Sequence, residues 1–362
     1  MVKAKLLAVL ALVAVAAPFL RAAGQEEGEG GARPSELLPF AVGAAPAGCD
    51  VGQGEWVYDE AAAPAYDEEA CPYIPAELTC QAHGRPDKSY QHWRWQPRGC
   101  SLPSFNGTVM LETLRGKRML FVGDSLNRAQ YVSLLCLLHR AMPEGSTSFE
   151  TVDALSIFRA KAYDATIEFY WAPLLAESNA DDGVEHQLND RVIRGAPMDR
   201  HSGMGAEEAY RLVLRTRGRW LDGNVDPKRS RVFFVTASPT HATGQLWGDE
   251  AEGSNCHGQT KPIADASYWG STSRAMLRVT GEVLAASARV PVGVVNVTQM
   301  SEYRRDAHTQ VYREQWAPPT KEQLADPKSY ADCTHWCLPG VPDAWNELLY
   351  WKLFFPANDQ AL

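Results

Sequence analysis

The sequence predicts an α/β fold in which a mainly parallel sheet is flanked by helices and preceded by a small disulfide-rich lobe. Three observations predict this class. After residue 111, short apolar runs alternate with helical patterns, as in sheets covered by helices on both faces. Residues 49–103 hold four of the eight cysteines among many Trp, Tyr and Pro residues and show little periodicity. A chain of 362 residues, 45% hydrophobic and 22% charged, can bury a large core.

The larger domain, residues 104–356, contains four expected strands and four expected helices. The expected strands are residues 118–122, 166–171, 231–237 and 292–297. The expected helices are residues 126–139, 206–217, 273–288 and 343–354. In the third of these helices, four apolar positions at helical spacing predict the face that packs on the core: Met276, Val279, Val283 and Leu284. We interpret residues 49–103 as an irregular lobe held together by disulfides.

The N-terminus is predicted to direct the chain into the secretory pathway. Lys3 and Lys5 precede an apolar run over residues 6–20. The run is shorter than the about 20 residues that usually span a bilayer, yet the leading lysines suit an anchor with a cytosolic N-terminus. Residues 1–24 are therefore either a cleaved signal peptide or a signal-anchor, and a buried N-terminal helix of the fold is the third reading. Residues 25–48, rich in Gly, Glu, Ala and Pro, are expected to form a flexible linker.

The eight cysteines indicate the same compartment, because an even count in a luminal protein is typical of a disulfide framework. Zinc is the alternative for Cys333, His335 and Cys337, which offer three ligands, but no CxxC pair accompanies them and we expect no metal. Two sequons, at Asn106 and Asn296, predict N-glycosylation in the lumen.

Charge narrows the choice of partners. A net charge of −9 excludes a global basic field, so we expect no nucleic-acid partner, and a neutral or weakly acidic glycan suits the chain better than a polyanion. Trp93 and Arg94 could stack on a sugar and hydrogen-bond to it, although such rings in a small lobe also serve as its core. Local basic groups remain available for acidic branches: Arg94, Arg115, Lys117 and Arg128.

The strongest chemical signal is an apolar strand that runs into Gly123-Asp124-Ser125 and directly on into a helix. Gly123 permits a sharp turn, and Ser125 reaches the helix N-terminus, where free backbone N–H groups stabilise an oxyanion. Ser125 is thus a candidate nucleophile. In the structural alternative, Ser125 is only the helix N-cap.

A serine nucleophile needs a base, and the base needs a group that orients it. Asp332 and His335 lie three residues apart just before the last helix, so a single turn of chain can place the carboxylate beside the imidazole. We expect Ser125, His335 and Asp332 to form a catalytic triad. His241, which follows an apolar strand, is the reserve candidate for the base.

Together these motifs resemble those of the SGNH, or GDSL-type, esterases. The longer strings around them are similar to the plant trichome-birefringence-like proteins over residues 49–354. They include Cys49-Asp50, Gly54-Glu55-Trp56-Val57, Trp93-Arg94-Trp95-Gln96-Pro97, Val122-Gly123-Asp124-Ser125-Leu126-Asn127-Arg128, Ser301-Glu302-Tyr303-Arg304, and the stretch from Asp332 to Asp343.

The resemblance implies a polysaccharide O-acetyltransferase of the Golgi membrane, of single-pass type II topology with a luminal catalytic domain, or a secreted form. The branch that acetylates xylan or a related hemicellulose is the most similar. Ser125 would carry the acetyl group from a donor that acts as a co-substrate, with no bound cofactor. Asn127, Arg128, Trp93 and Arg94 would contact substrate. The implied disulfides are Cys49–Cys100, Cys71–Cys136, Cys80–Cys337 and Cys256–Cys333.

The chain departs from the family pattern over residues 180–219. Relatives are expected to carry an additional central strand with an Asn-Thr pair there, whereas this stretch is polar and then directly helical. In SGNH enzymes a central strand delivers an Asn that donates to the oxyanion, and loss of such a donor costs about 3 kcal/mol in the barrier. A central strand would then be missing from the sheet, through a true deletion or a shortened gene model. Three functions stay open: acetyl transfer, hydrolysis by the same triad, and glycan binding without catalysis.

Overall fold

A computed structural model of the chain describes residues 12–16, 49–61, 63–173, 206–286 and 289–355. In chain order its strands are β1 (Leu12–Ala16), β2 (Asp50–Tyr58), β3 (Trp93–Arg98), β4 (Arg118–Gly123), β5 (Thr147–Val152), β6 (Leu155–Ala160), β7 (Ala165–Trp171), β8 (Ser230–Val235), β9 (Val292–Val295), β10 (His308–Gln310) and β11 (Asp332–Trp336). Its helices are α1 (Gly107–Thr113), α2 (Ser125–His139), α3 (Ala206–Asn224), α4 (Ser271–Ala285), α5 (Thr298–Glu302), α6 (Lys321–Ala325) and α7 (Val341–Phe354).

A seven-stranded sheet with the order β5-β6-β7-β4-β1-β8-β9 forms the centre of the molecule. β4 pairs in parallel with β7, and β8 pairs in parallel with β9. β1 is antiparallel to both β4 and β8, so β4, β7, β8 and β9 all run in the same direction. These strands and their covering helices confirm the expected α/β class.

The expected elements appear close to their predicted bounds. β4, β7, β8 and β9 correspond to the four expected strands, and α2, α3, α4 and α7 to the four expected helices. The apolar face of α4 packs on the sheet, because Met276, Val279 and Val283 join Phe234 of β8 in one buried cluster. Periodicity therefore identified the helix face correctly.

The structure corrects one expectation about strands and adds a hairpin that the sequence did not predict. The lobe at residues 49–103 is not wholly irregular, because β2 and β3 pair as an antiparallel hairpin within it. Trp95 of β3 is buried and donates its indole N–H to the carbonyl of Val51, so this ring is core and does not face a sugar. β5 and β6 form an antiparallel hairpin, and β6 pairs with β7, so the hairpin extends one edge of the large sheet.

β1 occupies the place of a central strand. Its five residues pair with Arg118–Val122 of β4 on one side and with Ser230–Phe234 of β8 on the other. These five residues belong to the apolar run expected to be a signal peptide, an anchor or a helix, and in the structure they are a strand. The other residues of 1–48 lie outside the described part, and so do residues 174–205, which include the first part of the shortened stretch. The described part resumes with α3. Within that part no helix is long and apolar enough to span a bilayer.

Four disulfides are present, of which one closes the lobe and three fasten the lobe or the last strand to the body. The bonded pairs are Cys49–Cys100, Cys71–Cys136, Cys80–Cys337 and Cys256–Cys333, the same four that the resemblance implies. Cys71–Cys136 joins the lobe to α2, and Cys80–Cys337 joins it to the segment after β11. Both cysteines around His335 are thereby oxidised, which removes the thiolates that a zinc site would need.

Candidate active site

The nucleophile lies where β4 ends and α2 begins. A Cβ atom on Gly123 would lie 2.2 Å from the side-chain oxygen of Asn127, so only glycine allows the first turn of α2 to approach this closely. Asp124 is the N-cap of α2, since its carboxylate accepts from the backbone N–H groups of Leu126 and Asn127. Ser125 is the first residue of the helix and not its cap, which leaves its hydroxyl for chemistry.

The base reaches Ser125 from β11. The hydroxyl of Ser125 lies 2.8 Å from Nε2 of His335, to which it donates. Nδ1 of His335 donates in turn to Oδ2 of Asp332, also over 2.8 Å. The structure thus brings together the three residues expected to form the triad, in the geometry of a serine, its general base and the carboxylate that fixes the base's tautomer.

Asp332 is held as an acceptor. Its Oδ1 accepts from the backbone N–H groups of Thr334 and His335, while Oδ2 accepts from the imidazole. Burial raises the pKa of the Asp332 carboxyl, but the hydrogen bonds and charge of His335 outweigh burial and bring the pKa below its ordinary value. The carboxylate therefore stays ionised and stabilises an imidazolium at His335.

β11 is anchored at several points, which fixes the positions of Asp332 and His335. Cys333 and Cys337 are both in disulfides, and the backbone carbonyl of Cys333 accepts from the N–H of His241. The indole N–H of Trp336 donates to the hydroxyl of Ser238 over 3.0 Å. Such support preorganises a base that must stay within hydrogen-bond reach of its serine.

His241 is not the base. Its side chain is fully buried, and its two ring nitrogens contact His308 and the carbonyl of Glu302. Ser125 already has His335 as its partner. The structure therefore corrects the reserve assignment, and His241 lies behind the strand that carries the base.

Two of the expected substrate contacts lie beside the nucleophile. Asn127 packs against Gly123, and Arg128 forms an ion pair with Glu77. The Arg128 guanidinium also lies 5.8 Å from the ring centroid of Trp171, a side chain that is 37% exposed. Trp171 is opposite Gly123 in the parallel pairing of β7 with β4, two residues before Ser125 in the chain.

The other two expected contacts, Trp93 and Arg94, lie on β3 in the lobe hairpin. Arg94 forms an ion pair with Asp59, and the ring of Trp93 packs edge-on against Tyr58. The ring centroid of Trp93 also lies 6.0 Å from the guanidinium of Arg304, outside the lobe. None of these described contacts reaches the triad, so the structure does not bring either residue to Ser125.

One further charged residue at the triad could not be found from the sequence. The Nε of Arg313 lies 3.4 Å from Oδ2 of Asp332, the oxygen that accepts from His335. Arg313 precedes β11 in a stretch with no motif of its own. A guanidinium this close to Asp332 favours the charged form of that carboxylate.

A serine at a strand–turn–helix junction, with an Asp-x-x-His pair from the end of the same domain, defines a serine esterase or acyltransferase of the SGNH type. Comparison with known families agrees. Residues 102–203 and 187–352 match the GDSL/SGNH-like acyl-esterase family found in Pmr5 and Cas1p, and residues 47–101 match the PMR5 N-terminal domain. The chain belongs to this PC-esterase family.

Similar curated proteins come from rice and Arabidopsis. The chain is 64% identical to rice "Probable xylan O-acetyltransferase 11", with 98% of each protein covered. It is 60% identical to rice "Probable xylan O-acetyltransferase 10", over 88% of this chain and 80% of that protein. It is 44% identical to Arabidopsis "Protein trichome birefringence-like 35", over 83% of this chain and 75% of that protein. The family expected from the motifs is confirmed.

The comparisons also bear on the shortened stretch. The alignment with the first rice protein spans 402 positions, whereas this chain has 362 residues, so the rice protein contains residues that this chain lacks. The family match is divided into two parts that meet at residues 187–203. Both findings agree with a missing segment within residues 180–219.

Proposed function

We propose that this protein is a polysaccharide O-acetyltransferase that acetylates xylosyl residues of xylan through an acetyl-enzyme on Ser125. The observation that carries the proposal is the continuous chain of hydrogen bonds from Ser125 through His335 to Asp332. The names of the similar rice proteins supply the substrate class.

In the first half-reaction, Ser125 Oγ attacks the acetyl carbonyl of the donor while Nε2 of His335 takes the hydroxyl proton. The oxyanion forms beside the N-terminus of α2, where Ser125, as the first helical residue, has a backbone N–H without a partner inside the helix. His335 then gives its proton to the leaving group of the donor, and the acetyl group remains as an ester on Ser125. No bound cofactor is needed in this scheme.

In the second half-reaction, a xylosyl hydroxyl attacks the acetyl-enzyme. Its proton passes to Nε2 of His335, and collapse of the tetrahedral intermediate returns that proton to Ser125 Oγ. The partly exposed ring of Trp171 and the guanidinium of Arg128 support sugar binding next to the ester, one by stacking and the other by hydrogen bonding. The His335 side chain is 29% exposed, which suits an acceptor as large as a polysaccharide.

Mass spectrometry of the full chain tests the proposal. The protein is incubated with an activated acetyl ester, with and without xylo-oligosaccharide, beside Ser125→Ala and the exposed control Ser267→Ala. We expect an acetyl adduct on Ser125 that disappears as acetylated sugar forms, and an unchanged control. Release of acetate at the same rate without sugar would identify a hydrolase instead.

A glycan-binding protein without catalysis is the second candidate, because the missing segment is expected to carry an oxyanion donor. A folded chain that binds xylo-oligosaccharide equally well before and after Ser125→Ala, and forms no adduct, would establish this function in place of the first.

For the location of the enzyme we propose the Golgi lumen. The four disulfides support an oxidising compartment, and the apolar run after Lys3 and Lys5 supports targeting through the secretory pathway. The chain would be a glycoprotein there, and an uncleaved run would anchor it as a type II membrane protein. Anchoring requires that Leu12–Ala16 not be paired in the sheet, since the same residues cannot do both.

A further inference from the structure

Two buried imidazoles form a chain of contacts that ends on the catalytic histidine. Nε2 of His241 lies 2.8 Å from the carbonyl of Glu302, and Nδ1 of His241 lies 2.7 Å from Nε2 of His308. Nδ1 of His308 lies 3.0 Å from the backbone carbonyl of His335. Both rings are fully buried, and neither contacts Ser125.

The number of N–H groups on His241 and His308 limits how many of these three contacts can be hydrogen bonds. Burial lowers the pKa of His241 to about 4 and that of His308 well below its ordinary value, so both rings are neutral. Two neutral imidazoles carry two N–H groups, yet there are three contacts. The contact between the two ring nitrogens needs one N–H, because two lone pairs at 2.7 Å repel each other. The second N–H goes either to Glu302 or to His335.

The neighbouring charges favour the N–H that faces His335. Each ring keeps one proton in either arrangement, so a nearby charge acts on the direction in which the two N–H groups point. The negative charge of Asp332, close to His308, favours N–H groups directed towards β11, and the charge of His335 opposes this only when that imidazole is protonated. Asp306 acts in the opposite direction on His241, but its carboxylate is paired through both oxygens with the guanidinium of Arg304.

The hydrogen bond from His308 to His335 lies where the backbone pairing of β10 with β11 is interrupted. β10 and β11 are antiparallel, but their register shifts between His308 and Gln310, opposite the stretch of β11 that contains His335. Gln310 has a positive φ of 55°, as expected where a ladder is interrupted. The side chain of His308 contacts β11 at the point where the regular ladder fails.

The ring of His308 is fixed in this orientation. It stacks on the indole of Trp336, with 3.9 Å between centroids and 23° between planes. Arg85 donates to the carbonyls of Asp306 and His308, which holds the main chain on which the imidazole is mounted. A buried ring that is stacked and bonded on both sides can transmit position to its neighbour.

We propose that His308 is a positioning residue for acetyl transfer: its Nδ1–H donates to the backbone carbonyl of His335 and holds that imidazole within reach of Ser125. His241 is its support, since the N–H at Nδ1 of His241 donates to Nε2 of His308 and fixes the tautomer. This role deepens the proposed function and rests on His335 acting as the base.

Paired substitutions in the full chain test the role. His308→Asn places an amide nitrogen near the position of Nδ1 and keeps a donor, whereas His308→Leu is of similar size and has none. We expect kcat to fall about tenfold or more in the leucine variant, with KM for xylo-oligosaccharide within about twofold, and to recover to within about threefold in the asparagine variant. His83→Asn, at an exposed histidine, is the control. Equal losses in both variants would overturn the proposal.

The rate at which the activated ester acetylates Ser125 is measured as well. This step uses His335 but needs no sugar. Even if xylan is the wrong acceptor, His308→Asn and His308→Leu should therefore differ in this rate.

Nitrogen NMR of the unsubstituted protein, labelled with ¹⁵N-histidine, provides a test that does not depend on whether a variant folds. We expect the proton of His308 on Nδ1, with a hydrogen-bond coupling from Nδ1 of His241 to Nε2 of His308. A proton on Nε2 of His308 with none on Nδ1 would show that the pair serves Glu302, and the proposal would be wrong.

Discussion

The hydroxyl of Ser125 and Nε2 of His335 lie 2.8 Å apart although 210 residues separate them in the chain. Ser125 is carried by the helix that follows β4 of the large sheet, and His335 lies on β11 of a separate two-stranded sheet. The reactive pair therefore exists only when both sheets are assembled and β11 is held in place. Features that support β11 should thus affect catalysis more than equally strong features elsewhere in the fold.

Replacement of Asp332 by Asn should lower kcat for acetyl transfer by about four orders of magnitude with little change in KM. The amide cannot stabilise the imidazolium, and its NH₂ group favours the wrong tautomer of His335. Steady-state kinetics with xylo-oligosaccharide measure this effect. Asp326→Asn, at an exposed carboxylate a few residues earlier, is the matched control and should be silent. A loss below tenfold at Asp332 would remove it from the triad.

Asp332 should also contribute to the pH dependence of stability. Its pKa is lower in the folded chain than in the unfolded chain, so the unfolded state binds more protons as the pH falls. The stabilisation is present above the unfolded value of about 4 and is lost as the pH falls towards the folded value. Denaturant unfolding between pH 3 and 7 should show a steeper acid decline for the unsubstituted chain than for Asp332→Asn. Parallel curves would contradict this prediction.

Much of the site was predictable because its signals are local. An apolar strand, a Gly-Asp-Ser turn and a helix occur in one short stretch, and Asp332 and His335 are three residues apart. Local chemistry of this kind constrains geometry strongly, and the periodic apolar face of α4 was identified with similar success.

The remaining features depend on contacts between distant segments. His308 lies on a strand of three residues and meets His335 only through the pairing of β10 with β11. In the sequence, the five residues of β1 have the character of a targeting segment. They form a strand because β4 and β8 lie on either side and both pair with them. Strand partners are set by tertiary context, which neither composition nor spacing reveals.

The disulfide next to the triad should matter more for catalysis than a comparable disulfide in the lobe. Cys256–Cys333 and Cys49–Cys100 close separations of 77 and 51 residues, so loop entropy predicts stabilisation of about 4 kcal/mol for each. Only the first is adjacent to Asp332. Double Cys→Ala variants should lose similar free energies of unfolding, while kcat falls roughly tenfold further without Cys256–Cys333. Equal kcat values would mean that β11 is positioned without that bond.

The two sequons should differ in glycosylation. Asn106 is exposed at the start of α1, whereas Asn296 is half-buried and Thr298 of its sequon is buried, with its hydroxyl donating to the carbonyl of Ala237. A glycan at Asn296 would have to displace this packing. Asn106→Gln should therefore abolish the mobility change on enzymatic deglycosylation, and Asn296→Gln should not. A residual glycan in Asn106→Gln would contradict this prediction.

β1 fills the position of a central strand between β4 and β8. Ala14 pairs with Leu120 on one side and Val232 on the other. Proline has no N–H and is not tolerated in a central strand, so Ala14→Pro should reduce the free energy of unfolding by roughly 2–3 kcal/mol. Ala14→Ser, which keeps the backbone N–H, is the control and should lose much less stability. Unchanged stability in Ala14→Pro, with the protein recovered in the membrane fraction, would show that residues 12–16 act as an anchor and leave the sheet open between β4 and β8.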